Sequence, residues 1–178
     1  MKKKILSMAL AATAVTAMLG LAGCGASLDR EVEIQGMALS VPSNWEERAD
    51  DGNTSEAGRI VYEKMSDDSD DPYEAIIVSY ESIGDDSPVD ANEALALVQQ
   101  RVEEDYLVTE WSIDEDDSEI IDGAKVTSFE YSFEKEIDHV SHLYEYRVAY
   151  VFAADMIYEI SVYGDEVSLA DAVGSIEF

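Results

Sequence analysis

The sequence predicts an α+β protein, with one antiparallel β-sheet of about six to seven strands flanked by helices. Three observations carry this. Consecutive stretches between residues 111 and 163 alternate apolar and polar side chains with a period of two, separated by short turn signals, as an antiparallel meander does. Between residues 87 and 106 the apolar side chains recur every three or four positions, the spacing of an amphipathic helix. The chain has 178 residues and 47% apolar content, enough for one domain with a core and short for two.

Val32–Val41 reads as the first strand, interrupted by a turn or bulge at Gln35-Gly36. Pro42 has no N–H to give to a ladder and fits its end. Trp45 follows as a packed aromatic. An acidic loop over 46–58 leads to a second strand at Arg59–Lys64, and Asp67-Asp68-Ser69-Asp70-Asp71-Pro72 is a solvated connection to a third at Tyr73–Glu81.

Ser87–Tyr106 is the clearest helix. Ser87 is placed to cap it, Pro88 suits a first helical position, and Asp90 completes an S-x-x-D pattern. Ala91, Ala94, Leu95, Val98, Val102 and Tyr106 form its apolar stripe.

Trp111–Ile121 then runs into Asp122-Gly123, a strong hairpin signal. In Val126–Glu134 the residues Thr127, Phe129, Tyr131 and Phe133 share one face. After a turn near 137–140, Tyr144, Tyr146, Val148, Tyr150 and Phe152 do the same. Ala153-Ala154-Asp155 turns the chain into Met156–Tyr163, and Asp165–Phe178 holds a short helix followed by Ser175-Ile176-Glu177-Phe178. The expected order is β-β-β-α-β-β-β-β-α, with the Ser87–Tyr106 helix covering one face of the sheet.

Charge narrows the function. Eleven Lys and Arg against 40 Asp and Glu give a formal charge of −29. That argues against nucleic acid, whose binding rests on basic side chains neutralising phosphates. It also argues against docking on anionic lipid through a basic surface. A single Cys provides no intrachain disulfide and no Cys-rich zinc site, and two His leave little for acid–base or metal chemistry.

The N-terminus reads as an address. Lys2, Lys3 and Lys4 precede an Ala-rich apolar stretch from Ile5 to Leu21 that ends in small residues. Leu21-Ala22-Gly23-Cys24 resembles the lipobox of bacterial lipoproteins. The resemblance implies a signal peptide over residues 1–23, a diacylglycerol on Cys24, a tether over 24–30 and a single domain over 31–178. It places the chain on the extracytoplasmic face of a cell membrane, its partner there being the bilayer through lipidated Cys24. Two acyl chains suffice for stable anchoring. Removing residues 1–23 takes away three Lys and no acid, leaving 8 basic and 40 acidic residues, a charge of −32.

The domain resembles the PsbP/Mog1-like fold. The residues that carry this are Val41-Pro42-Ser43-Asn44-Trp45, the mid-chain helix, the Asp122-Gly123 hairpin, Met156-Ile157-Tyr158-Glu159-Ile160 in the aromatic meander, and the terminal Ser175-Ile176-Glu177-Phe178. The resemblance implies an antiparallel sheet flanked by helices and a binding or accessory role rather than an enzyme. It brings no catalytic motif.

Few residues suggest chemistry. Asp138, His139, Ser141 and His142 are the residue types of a hydrolytic triad, but four residues within one turn do not supply its geometry, and there is no G-x-S-x-G elbow. His139 and His142 would need further ligands to hold zinc. The acid clusters at 67–71 and 114–119, and Asp50-Asp51-Gly52-Asn53, offer hard oxygens suited to calcium, yet none matches the EF-hand loop. Glu119 stands where that loop needs Gly. Asn53-Thr54-Ser55 formally matches a glycosylation acceptor, incidental beside a bacterial lipobox. The expected function is a lipid-anchored binding module acting through protein contacts. The alternatives are small-ligand or cation binding and, less favoured, a cell-envelope hydrolase. No cofactor, catalytic residue or metal ligand is assigned.

Overall fold

The computed structural model describes residues 26–65, 73–105, 108–137 and 140–178. Nine strands and two helices follow in the order β1 (Leu28–Ile34), β2 (Met37–Pro42), β3 (Glu46–Ala49), β4 (Ala57–Glu63), β5 (Ala75–Ser82), α1 (Ala91–Asp105), β6 (Val108–Ile121), β7 (Ala124–Ile137), β8 (Val140–Ala153), β9 (Met156–Tyr163) and α2 (Leu169–Val173). Seven strands form one antiparallel sheet in the order β3-β4-β5-β9-β8-β7-β6, and β1-β2 is a separate hairpin. The fold class is α+β and predominantly antiparallel sheet, with little helix.

Five strands precede α1 where the sequence suggests three. The expected strand over 32–41 is two strands, paired Ile34 to Met37. Gln35 and Gly36 both take positive φ, 49° and 90°, the geometry of a two-residue type I′ hairpin turn. A two-residue loop preserves the alternation on both sides, so the pattern alone reads the same for a bulged strand. β1 begins at Leu28, inside the segment assigned to a tether, and Ala26 N–H donates to Glu166 O at 2.8 Å. β3 lies in the expected acidic loop; all four of its residues are exposed, so it carries no apolar alternation. Asp122-Gly123 forms its hairpin as expected, with φ of 48° and 91°.

α1 starts at Ala91, three residues later than the Ser87 cap implies. Asp90 Oδ1 accepts the Glu93 N–H at 3.0 Å, and Glu93 Oε2 accepts the Val89 N–H at 2.8 Å. Asp90 is thus the N-cap, and the Glu93 return bond reaches one residue further back than in a regular capping box. Ser87 Oγ accepts from Gly84 N–H instead. Ala91, Ala94 and Leu95 bury themselves against Phe129, Val148 and Tyr150. Tyr106, the expected last residue of the stripe, lies outside the described residues.

The larger core is on the opposite face. Ile76, Val78, Tyr158, Ile160, Val151 and Val126 meet Met37, Leu39, Val41 and Trp45 from the β1–β2 side and Leu169, Ala172 and Val173 from α2. The terminal segment, read as a short helix and tail, joins the hairpin: Ala38 N–H donates to Glu177 O at 2.8 Å, and Glu177 N–H returns to Ala38 O at 3.1 Å. Tyr158 OH donates to Gln35 O at 2.7 Å, fixing the hairpin turn to the sheet.

Candidate binding site

Each residue of the sheet is placed by register, and register brings together residues that are far apart in sequence. Arg59, Ser79, Glu159, Tyr150, Thr127 and Ser118 lie side by side in one row across β4, β5, β9, β8, β7 and β6. Tyr150 packs in the α1-facing cluster, so the row belongs to the face that α1 covers. Ser118 Oγ and Thr127 Oγ1 satisfy each other at 3.0 Å. Tyr150 is 3% exposed and its hydroxyl is buried with no hydrogen-bond partner. Burial pushes its ionisation upward, and the neighbouring Glu159 carboxylate adds to the effect.

Above this row, between α1 and the sheet, is a cleft of about 300 Å³. Ala94, Leu97, Val98 and Arg101 line it from the helix, and Ser79, Glu81, Tyr150, Ile157 and Glu159 from the strands. Burial raises the Glu159 pKa above the usual glutamate range. Nearby Tyr150, Ser161, Arg101 and Arg59 counter it only in part. Among the described residues, no ion pair within 4 Å forms between Glu159 and either arginine.

A raised carboxyl pKa means that the folded state holds the proton more tightly than the unfolded chain. Glu159 therefore favours folding below its unfolded pKa and progressively disfavours it as pH rises through the raised value. Glu159→Gln is expected to be more stable than wild type at pH 7, with the difference shrinking as pH falls to the ordinary glutamate value. Urea unfolding at several pH values checks this; a gap that does not depend on pH would refute it.

A larger polar cleft of about 530 Å³ lies elsewhere on the sheet, lined by Ser112, Asp114, Glu130, Ser132, Glu145 and Arg147 among others. Arg147 donates to Gly164 O and lies 3.9 Å from Asp165 Oδ1, so its charge is engaged within the chain. Asp114 and Glu130 there are exposed. The smaller cleft, which holds buried Tyr150 and half-buried Glu159, is the better candidate.

An aromatic surface continues from the α1 cluster along β6, β7 and β8. The pairing of β9 with β8 stops at Arg147, so β8 continues toward Val140 without it. On that extension Tyr131 stacks on Tyr146 at 5.0 Å, Phe133 on Tyr144 at 5.4 Å, and Trp111 lies 4.8 Å from Phe133. Tyr144, Tyr146 and Trp111 are half-buried, and Ile113 and Val140 on the same face are exposed.

The residues singled out in the sequence do not gather into a site. Cys24, the cluster at 67–71, Asp138 and His139 lie outside the described residues. Ser141 Oγ donates to Glu134 Oε2 at 2.8 Å, and His142 sits exposed opposite Lys135. Residues 114–119 form extended backbone within β6 rather than a loop wrapped round a cation. In the 50–53 loop, Asn53 Oδ1 accepts the Arg59 N–H at 2.8 Å and Nδ2 donates to Arg59 O, so that amide serves the turn. Among the described residues no group of three or more His, Cys, Asp or Glu is arranged to hold a metal ion, and no helix is long and apolar enough to cross a membrane. No protein-family model matches the chain, nor does any curated protein.

Proposed function

We propose that the chain is a bacterial lipoprotein, anchored through Cys24 on the extracytoplasmic face of the cell membrane, whose domain is a PsbP/Mog1-like binding or accessory module working through protein contacts. The lysines at 2–4, the apolar segment after them and the Leu21-Ala22-Gly23-Cys24 box support the anchor. The antiparallel sheet, the mid-chain α1 and the short α2 near the end support the fold assignment.

The observation that carries the contact reading is the aromatic extension of β6, β7 and β8. It presents half-buried rings beside exposed Ile113 and Val140. Contiguous apolar and aromatic surface of this kind marks interaction sites, and aromatic side chains are enriched at interface centres.

A photo-crosslinking side chain at Ile113 is expected to trap one discrete protein adduct in native membranes. The same group at Val89, which is 83% exposed and precedes α1, is expected to trap none. Tyr146→Ala should remove the Ile113 adduct without unfolding the domain. Cys24→Ser should remove the protein from the membrane fraction, and the adduct with it. Equal adducts at both positions would sink the contact reading; unchanged membrane retention of Cys24→Ser would sink the anchor.

A further inference from the structure

We propose that the domain stands directly on the bilayer, with the β6–β8 extension held along the membrane surface, and that the protein met by this extension is an integral membrane protein. Both steps rest on the lipid anchor and the contact surface already put forward, and they name the class of partner.

Residues 24–30 read as a tether in the sequence, but the fold takes up most of that length. β1 begins at Leu28, and Ala26 N–H is bound to Glu166 O at 2.8 Å. Only Gly25 separates Cys24 from that bonded residue, and two chain steps reach about 7 Å at most. A lipid on Cys24 therefore holds the end of the domain that carries Glu166 close to the headgroups. A polar cleft of about 420 Å³ lies at that end, lined by Ser27, Asp29, Ser43, Asn44, Lys64 and Glu166. Hydroxyl, amide and charged groups of this kind suit a hydrated headgroup layer.

The extension leaves the sheet from the same end. β9 finishes at Tyr163, and Arg147 donates to Gly164 O and lies 3.9 Å from Asp165 Oδ1, just before Glu166. Arg147 is also the last residue of β8 that pairs with β9. Residues 140–146 therefore project past the anchored end, by about 23 Å at a strand rise of about 3.3 Å per residue. Such strands either enter the bilayer or lean along its surface. Glu134, Lys135, Glu136 and His142 belong to the projecting part, and charged side chains are costly in hydrocarbon, so the strands lean. The anchor enters through β1, which packs on the face opposite α1, whereas Tyr131, Phe133 and Tyr146 continue the α1 face. The rings are thus turned away from the lipid side. On the reverse face Glu110, Asp114 and Glu130 are exposed and keep the extension hydrated above the headgroups. A protein embedded in the same bilayer meets the rings at this height, and confinement of both to one surface raises their effective concentration.

The test places the lipidated protein, purified from membranes, in phosphatidylcholine vesicles. Trp111 lies in the extension, and Trp111→Phe supplies the background from Trp45, the other Trp of the chain. Energy transfer from Trp111 to dansyl-labelled headgroups is expected, with no quenching by bromines in the acyl chains. Inserting about twenty Gly and Ser residues after Gly25, a reach of about 25 Å, should remove most of the transfer. In native membranes a photo-crosslinker at Ile113 should trap a protein with membrane-spanning segments, identified by mass spectrometry. The same insertion should lower that yield at least about tenfold, by diluting the effective concentration. Far-ultraviolet circular dichroism reports that the inserted variant folds. Transfer that is absent in the wild type, or undiminished by the insertion, overturns the proposal and leaves the anchor and contact readings standing. An adduct with a soluble protein overturns it too, and strong quenching by the acyl-chain bromines does so by making lipid the occupant. A Cys24 found without lipid refutes the anchor, and a missing Ile113 adduct refutes the contact surface; either takes this proposal with it.

Discussion

Trp45→Ala is expected to destabilise the domain by about 3–5 kcal/mol, the range for truncating a large aromatic in a core. Trp45 is 1% exposed and belongs to the cluster that joins the β1–β2 hairpin, the sheet and α2. Removing it opens a cavity where three layers meet. A domain of ordinary stability has only about 5–15 kcal/mol in all. The indole N–H is buried without a partner, so Trp45→Phe keeps most of the ring while relieving an unsatisfied donor. The Phe variant should therefore lose clearly less than the Ala variant. Urea unfolding followed by circular dichroism separates them; equal losses would mean that the indole ring is not what holds the hairpin to the sheet.

Gly164→Ala is expected to cost about 3 kcal/mol, from positive-φ strain and lost hydrogen bonds to a charged group. Gly164 has φ of +83°, and an added Cβ would collide with the Glu74 carboxylate. Glu74 is 4% exposed, and its two oxygens accept the Asp165 and Glu166 N–H groups at 3.1 and 3.0 Å. A methyl group at 164 must push that carboxylate off the turn leading to α2. Gly36→Ala is the control: φ there is +90°, but no atom lies within 4 Å of the added Cβ, so only the backbone term of about 1–2 kcal/mol applies. In a Glu74→Ala background the two glycine substitutions should cost the same. A persistent difference would show that the clash is not with Glu74.

The sequence shows some of this fold clearly and hides the rest for identifiable reasons. Period-two alternation found β7, β8 and β9, and Asp122-Gly123 located a turn, because those signals are local. β3 escaped because Glu46–Ala49 is exposed throughout and pairs through its backbone. Gln35-Gly36 reads equally as a turn or a bulge, because a two-residue loop leaves the alternation intact, and the structure makes it a turn between two strands. α1 was found but its cap was misplaced, since Ser87 and Asp90 both fit a cap and only the backbone decides between them. The polar row was not legible at all. Arg59, Ser79, Ser118, Thr127, Tyr150 and Glu159 are scattered over 101 positions, and only strand register aligns them. The one local hint is Glu159, an acid on a strand whose neighbours Tyr158 and Ile160 are buried.

β6 has a consequence for life at high local concentration. It is the outermost strand on its side, and over 14 residues its outer backbone groups have no strand beside them among the described residues. A long flat strand in that position invites a second copy to zip onto it and extend the sheet between molecules. This one is irregular between Val108 and Glu110 and again between Glu115 and Asp117, and its middle carries Asp114-Glu115-Asp116-Asp117. Irregular register breaks the ladder a newcomer would copy, and the acidic run adds like charge to two copies brought edge to edge. The opposite margin, β3, offers only four residues, Glu46 and Glu47 among them. The acid run that resembles a cation site in the sequence thus lies on an open sheet margin, where its charge disfavours edge-to-edge pairing of crowded copies.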